Sequence, residues 1–310
     1  MTLNDATTPS AAASQGARRK TAKDFSPALL EIYDGYVHGR LTKREFLDRA
    51  TLLVGAGAAA GVLAALQPNY ALANEVSPDD PAIVTKRIKY ASPEGHGEIE
   101  GLLAMPSALG RPRGGVLVVH ENRGLNPYIE DVARRVAKAG YVALAPDGLS
   151  PLGGYPGTDD EGREMQRSMD GEKLMNDFFA GFEHLSDMDE TTAKIGAVGF
   201  CYGGGVCNAL AVAFPEMACS VPFYGRQAAA EDVPGIGAAL LIHYAENDER
   251  INAGWPAYEA ALKAAGKAYE AHFYPGVNHG FHNDTTPRYD KAAATLAWER
   301  TLDWFEKYLA

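Results

Sequence analysis

A cysteine held between glycines is the most chemically suggestive feature of this 310-residue chain. The segment Lys194–Gly205 reads KIGAVGFCYGGG: an apolar run, then G-x-C-x-G-G, then a stretch with helical spacing. That is the shape of a nucleophile elbow with Cys201 in the place of serine. The turn from strand to helix is strained, and side chains two before and two after the nucleophile would collide across it, which accounts for Gly199 and Gly203. A helix N-terminus beneath the sulfur favours negative charge, so it lowers a thiol pKa and steadies an oxyanion. The competing reading is a structural cysteine beside a glycine-rich packing turn.

A nucleophile of this kind needs an acid and a histidine later in the chain. The loop Ala245–Ile251 crowds Glu246, Asp248 and Glu249 together, and Asp248 is placed at the turn leading back under the sheet. The loop Tyr274–His282 offers His279, flanked by glycine, with His282 as its competitor. Together these two histidines lack a third metal ligand nearby, so no metal or other cofactor is expected. His120, His243 and His272 fall in or at strand ends and read as packing histidines. An oxyanion hole would take one backbone N–H from Tyr202, after the nucleophile, and one from Asn122, in the loop His120–Asn126 that follows an earlier strand. Glu121 in that loop could take or hold the thiol proton; its alternative is an ion pair with Arg123.

These residues must be positioned by a scaffold. Runs at 86–91 and 97–105 predict an antiparallel hairpin. Apolar runs at 115–120, 141–145, 194–199, 218–223, 239–244 and 268–274 predict strands, the first of them covered on both faces. Helical spacing falls at 128–139, from about 159 to 185, and at 203–214, 254–265 and 288–308. Alternation at this spacing predicts an α/β fold: a mostly parallel, doubly wound sheet with helices on both faces. Hydrophobic residues make up 46% and charged residues 22%, which excludes a wholly disordered chain. The net charge of −11 argues against nucleic acid as a partner. Cys201, Cys207 and Cys219 have neither zinc nor CxxC spacing.

The first 73 residues read differently. Residues 1–23 are rich in Ser, Ala, Thr and basic residues and are expected to be disordered; 26–38 predicts a short amphipathic helix. Lys43-Arg44, a weakly apolar stretch Ala50–Leu66 and the small-x-small site Ala71-Leu72-Ala73 together resemble a twin-arginine export signal, with lysine at the first basic position. The expectation is a cleaved signal over 1–73, a linker over 74–85, a catalytic domain over 86–310, and a periplasmic protein served transiently by the export machinery. The alternative is a helical hairpin retained in a cytoplasmic protein.

G-F-C-Y-G-G (199–204), H-E-N-R-G (120–124), Y-V-A-L-A-P-D (141–147), E-N-D-E-R-I (246–251) and N-H-G-F (278–281) resemble the dienelactone hydrolase family of α/β-hydrolases over roughly residues 86–309. The resemblance implies an α/β-hydrolase fold, carboxymethylenebutenolidase-like activity, Cys201 as nucleophile, Asp248 as acid, His279 as base, and Glu121 as the acid contacting the resting thiol. It departs from the family on the substrate side. The family places an Arg/Tyr pair in the long helix region and an arginine four positions after its histidine. Here that position is Asn283, and the helix offers Arg163 and Arg167. Arg123, Arg163 and Arg167 are therefore the substrate-binding candidates, with Arg288 a further one. The expected function is hydrolysis of a small ester or lactone through an acyl-enzyme. The alternatives are a ligand-binding protein on a hydrolase scaffold and a thiol redox protein.

Overall fold

The computed structural model describes residues 18–310; residues 1–17, most of the stretch expected to be disordered, lie outside the described residues. Three helices come first: α1 (Pro27–Val37), α2 (Lys43–Val54) and α3 (Ala59–Leu66). The hairpin β1 (Ile83–Ser92) and β2 (Gly97–Pro106) follows, then β3 (Arg113–Val119), α4 (Pro127–Lys138), β4 (Val142–Pro146), α5 (Asp159–Ser168) and α6 (Gly171–Ser186). The second half comprises β5 (Thr191–Phe200), α7 (Tyr202–Ala213), β6 (Cys219–Phe223), β7 (Ala239–Asn247), the single turn α8 (Glu249–Asn252), α9 (Trp255–Ala264), β8 (Tyr269–Asn278) and α10 (Lys291–Leu309).

The eight strands form one sheet in the order β1-β2-β4-β3-β5-β6-β7-β8. The β1–β2 and β2–β4 pairs are antiparallel and the remaining pairs are parallel. Apolar side chains of α4 and α10, such as Ile129, Val132, Trp304 and Phe305, pack on one face. Those of α6, α7 and α9, such as Phe178, Leu210 and Leu262, pack on the other. Residues that follow the parallel strands therefore gather along one edge, where open α/β sheets bind their ligands.

Two element boundaries differ from the sequence reading. The long helix over 159–185 is two helices: Met169 is extended, and the Asp170 carboxylate accepts hydrogen bonds from the backbone of Glu172 and Lys173, capping α6. The last helix starts at Lys291, because Asp290 caps it through Ala293 N, which leaves Arg288 in a loop.

The segment with an export-like composition is folded. Helices α1–α3 carry their own apolar core of Leu29, Tyr33, Tyr36, Phe46, Ala50, Leu63 and Leu66. Phe46 is fully buried, with its ring 6.1 Å from Tyr33 and 5.6 Å from Tyr36. Lys43 and Arg44 lie in the first turn of α2, which Thr42 and Glu45 close with a capping box. Gly55, at φ 87°, ends α2. Among the described residues no single helix is long and apolar enough to cross a membrane; Lys43–Val54 and Ala59–Leu72 pass that test only together, and they are bent by 113°. The hairpin docks on the sheet domain through Tyr36 Oη to Asp160 (2.5 Å), Lys43 Nζ to Asp160 (3.0 Å), Tyr70 Oη to Asp159 (2.7 Å) and Asn122 Nδ2 to the Val37 carbonyl (2.8 Å).

Emptying the centre of this small core should loosen it without unfolding the sheet. Phe46→Ala is expected to cost the hairpin about 3–5 kcal/mol. Amide exchange would then speed up across residues 27–66 and stay slow in β3, β5 and β6; equal acceleration in both regions would contradict two separate cores.

Candidate active site

Cys201 sits between β5 and α7 with φ 57° and ψ −111°, a backbone conformation rare outside glycine. A Cβ on Gly199 would lie 2.2 Å from the Gly203 carbonyl oxygen, and one on Gly203 would lie 2.4 Å from the Val119 carbonyl oxygen. Both are impossible contacts, so these two positions require glycine. The elbow is held by Cys201 N donating to the Phe223 carbonyl (3.0 Å). Tyr202 N is the first amide of α7, one of the donors a helix start leaves without an internal partner. Among the described residues neither Tyr202 N nor Asn122 N makes a loop or side-chain hydrogen bond. Both remain available as oxyanion donors.

His279 and Asp248 come together as read from the sequence. Asp248 follows β7 and caps α8 through Ile251 N, while its other oxygen meets His279 Nδ1 at 2.6 Å. That contact orients His279 Nε2, which is buried and has no hydrogen-bond partner among the described residues. The competitor His282 is turned away: Tyr128 Oη meets its Nδ1 at 2.7 Å and its ring packs on Phe200. His120 and His243 are buried and hydrogen-bonded within the core.

A third group reaches the sulfur, and it comes from the hairpin. His38, the C-cap of α1, places Nε2 3.4 Å from Cys201 Sγ. Its Nδ1 lies 3.0 Å from Asp34 Oδ1 and 2.9 Å from the Asp34 carbonyl oxygen. The rings of His38 and His279 meet edge to face at 4.6 Å. Reading residues 1–73 as a removable address hid this contact. The available signal was Asp34-x-x-x-His38, whose spacing sets a carboxylate against an imidazole one helical turn on.

The electrostatics follow from these contacts. Burial alone would push the Cys201 thiol up, but the imidazoles of His279 and His38 outweigh it and hold it down to about 5. Burial would lower His279; Asp248 and the sulfur together raise it to about 10. Burial also opposes protonation of His38, which the sulfur and Asp34 raise above the usual value. The other thiols, Cys207 and Cys219, are free, buried and pushed up by that burial.

Several expected roles are corrected. Glu121 is spoken for: its carboxylate pairs with Arg123 Nη2 at 2.5 Å and accepts from Asn283 Nδ2 at 3.3 Å, with no hydrogen bond to the thiol among the described residues. Arg123 bridges Glu121 and Asp159 (2.7 Å) in a buried network, which occupies it structurally. Arg163 pairs with Asp160 and covers the Tyr36 ring, so it anchors the hairpin. Arg167 is exposed against the turn at Gly39. Arg288 is 5% exposed and packs on Gly280 beside His279; its guanidinium lies over the Tyr33 ring of α1 (5.3 Å), while its Nε and Nη1 have no hydrogen-bond partner among the described residues. The donor atoms of His38, Cys201 and His279 lie within 4.8 Å of one another.

Comparison with known proteins identifies the family and the fold. The family model "Dienelactone hydrolase family" matches residues 99–309. The chain belongs to the dienelactone hydrolase family. A second family model, "YqhI-like", matches residues 17–57, the region of α1 and α2. The hydrolase fragment YghX of Escherichia coli (strain K12), a candidate hydrolase, is 65% identical over 105 residues, 34% of this chain and 90% of that protein. A candidate carboxymethylenebutenolidase of Saccharolobus solfataricus is 30% identical over 68% of this chain and 94% of its own length. Among solved structures, the dienelactone hydrolase from Anabaena variabilis superposes with a TM-score of 0.58 at 21% identity, over 74% of this chain and 100% of that one. The dienelactone hydrolase-like promiscuous phosphotriesterase P91, from metagenomic libraries, gives 0.64 at 22%, with the same coverage. As a member of this family the protein is a dienelactone hydrolase-like hydrolase.

The thiol should titrate far below an ordinary cysteine. Alkylation of Cys201 by iodoacetamide is expected to reach half its plateau rate near pH 5. A half-point near the free-thiol value of about 8.5 would contradict the electrostatic reading of the site.

Proposed function

We propose that the protein hydrolyses a small ester or lactone through a Cys201-His279-Asp248 triad and a covalent acyl-enzyme. The observation that carries this reading is the convergence on one strained, glycine-flanked thiol of an oriented imidazole and two unengaged backbone donors. The Cys201 thiolate attacks the carbonyl carbon, and the oxyanion sits against the N–H groups of Tyr202 and Asn122. Protonated His279 gives its Nε2 proton to the leaving oxygen. Now neutral, it takes a proton from water, whose oxygen displaces the sulfur. Asp248 keeps the imidazole in the right tautomer and steadies its positive form.

Substrate preference follows from what is buried without a partner. Tyr224 Oη, Arg288 Nε and Arg288 Nη1 stand near the imidazoles, and Tyr224 packs 4.8 Å from the His279 ring. Buried polar atoms in this state call for a ligand's polar groups. A substrate with an anionic or strongly polar end satisfies Arg288 without an arginine four residues after His279.

We also infer that residues 26–66 stay with the working enzyme. Support comes from their own core, from the three hydrogen bonds that dock Tyr36, Val37 and Lys43, and from His38 at the thiol. Intact mass of protein recovered from cells is expected to include this segment; a chain starting at Asn74 would show that it is an address after all.

Turnover of a panel of small esters and lactones by the full chain tests the main reading. Loss of turnover in Cys201→Ala with an unchanged circular dichroism spectrum is expected. Equal turnover in parent and variant would remove the thiol from the mechanism.

A further inference from the structure

Two carboxylate-imidazole pairs face one sulfur in this protein, and the triad uses only one. Asp248-His279 approaches from the loops that follow β7 and β8. Asp34-His38 approaches from the end of α1, with Nε2 3.4 Å from Sγ. His279 Nδ1 is hydrogen-bonded to the Asp248 carboxylate; His38 Nδ1 is hydrogen-bonded to the Asp34 backbone carbonyl, with the Asp34 carboxylate 3.0 Å away, and both contacts present Nε2 to the thiol. The second pair belongs to the segment outside the hydrolase family match, which begins at residue 99.

We propose that His38, oriented by Asp34, is a catalytic residue: it holds the Cys201 thiolate as an ion pair, while His279 carries the protons. The proposal rests on the hydrolase reading above and divides its labour. In a simple triad one imidazole must both stabilise the thiolate and deliver a proton to the leaving group. Here His38 stays protonated throughout. In acylation the sulfur–carbon bond forms and the carbon–oxygen bond to the alcohol breaks. The proton on His279 goes to the departing oxygen, which leaves as the neutral alcohol. In deacylation His279 takes a proton from water, the water oxygen bonds to the carbonyl carbon, and the carbon–sulfur bond breaks. Its electron pair returns to Sγ, where the His38 charge receives it. The acid is released and His279 is protonated again, so one water is consumed per ester and nothing else changes.

Other groups around the sulfur bear on this assignment. From the loop after β3 come Glu121 and Arg123, already paired with one another. Tyr224 follows β6, and Arg288 lies in the loop before α10. Arg250 of α8 competes most directly: its Nη2 is 3.2 Å from His38 Nε2 and 3.5 Å from His279 Nδ1, an arrangement that opposes protonated imidazoles. Two features decide in favour of the ion pair. The Arg250 side chain is 32% exposed, and the Asp34 carboxylate, which also pairs with Arg40 at 2.8 Å, lies 3.9 Å from it and offsets part of its charge. The sulfur and His279 are buried and the His38 side chain is only 11% exposed, so a thiolate and an imidazolium attract strongly there. The alternative state, with neutral His38 accepting from Arg250, leaves a buried thiol beside one charged imidazole fewer.

The placement also accounts for the docking of α1. His38 follows directly on Val37, whose carbonyl accepts from Asn122 in the oxyanion loop. Holding the end of α1 there sets the position of both the imidazole and the loop that would stabilise the oxyanion. A chain cut after Ala73 would lose Asp34 and His38 together.

Two arms of one experiment test the proposal on the full-length protein. The first follows iodoacetamide alkylation of Cys201 against pH in the parent, His38→Gln and Asp34→Asn, and it needs no substrate. His38→Gln is expected to move the half-point upward from about 5 by one pH step or more, so that the alkylation rate at pH 5 drops at least roughly fivefold, with Asp34→Asn shifting it less in the same direction. The second arm measures kcat and KM on whichever ester the parent turns over. Here kcat is expected to fall at least roughly tenfold with KM changed less than threefold, and added imidazole should restore part of the rate to His38→Gly. An unchanged half-point in both variants would overturn the proposal, as would a defect confined to KM, which is what a cover over the site would give. Should His38→Gln fail to fold, Asp34→Asn, which keeps the imidazole, decides by the same half-point. Turnover that survives Cys201→Ala would sink the hydrolase mechanism but leave the alkylation arm standing, so the two failures are distinguishable.

Discussion

Everything in this protein's site depends on keeping a negative sulfur stable inside a folded chain. A buried thiolate is costly, and burial does raise the other two cysteines. At Cys201 the cost is offset by positive charge brought within contact distance, by backbone donors at the start of α7, and by a turn that only glycine neighbours permit. Each of these is supplied by a different part of the chain. The sheet is what brings them together: β3, β5, β7 and β8 run parallel, so the residues after them meet along one edge.

Much of that arrangement was legible in the sequence. The elbow could be read because its glycines are demanded by sterics within a few residues, and Cβ atoms at 199 and 203 would indeed strike backbone. Asp248 and His279 could be read because both follow strands in the order that such sites require. The strands themselves were marked by apolar runs. The break at Met169 was not, since residues on either side keep a helical pattern and the cap at Asp170 acts only through local geometry.

The arginines and Glu121 were misassigned for a reason common to charged residues. Their role is set by which partner lies closest in three dimensions, and spacing along the chain does not encode it. Glu121 and Arg123 are two residues apart and close on each other, with Asp159 arriving from a different element. His38 was missed for the opposite reason: composition alone classified its surroundings. A weakly apolar, alanine-rich stretch after a basic pair fits both an export signal and a small helical hairpin. The packing of Phe46, Tyr33 and Leu66 into a folded layer is set in three dimensions, and composition does not carry it.

The account comes down to a covalent bond between substrate and Cys201. Acid quenching during turnover of an ester with a slow second step, followed by peptide mass spectrometry, would look for it directly. The account predicts the acyl mass on the peptide that contains Cys201, appearing within the first turnover and absent from Cys201→Ala. Full turnover with no acyl group on that peptide at any time would contradict it.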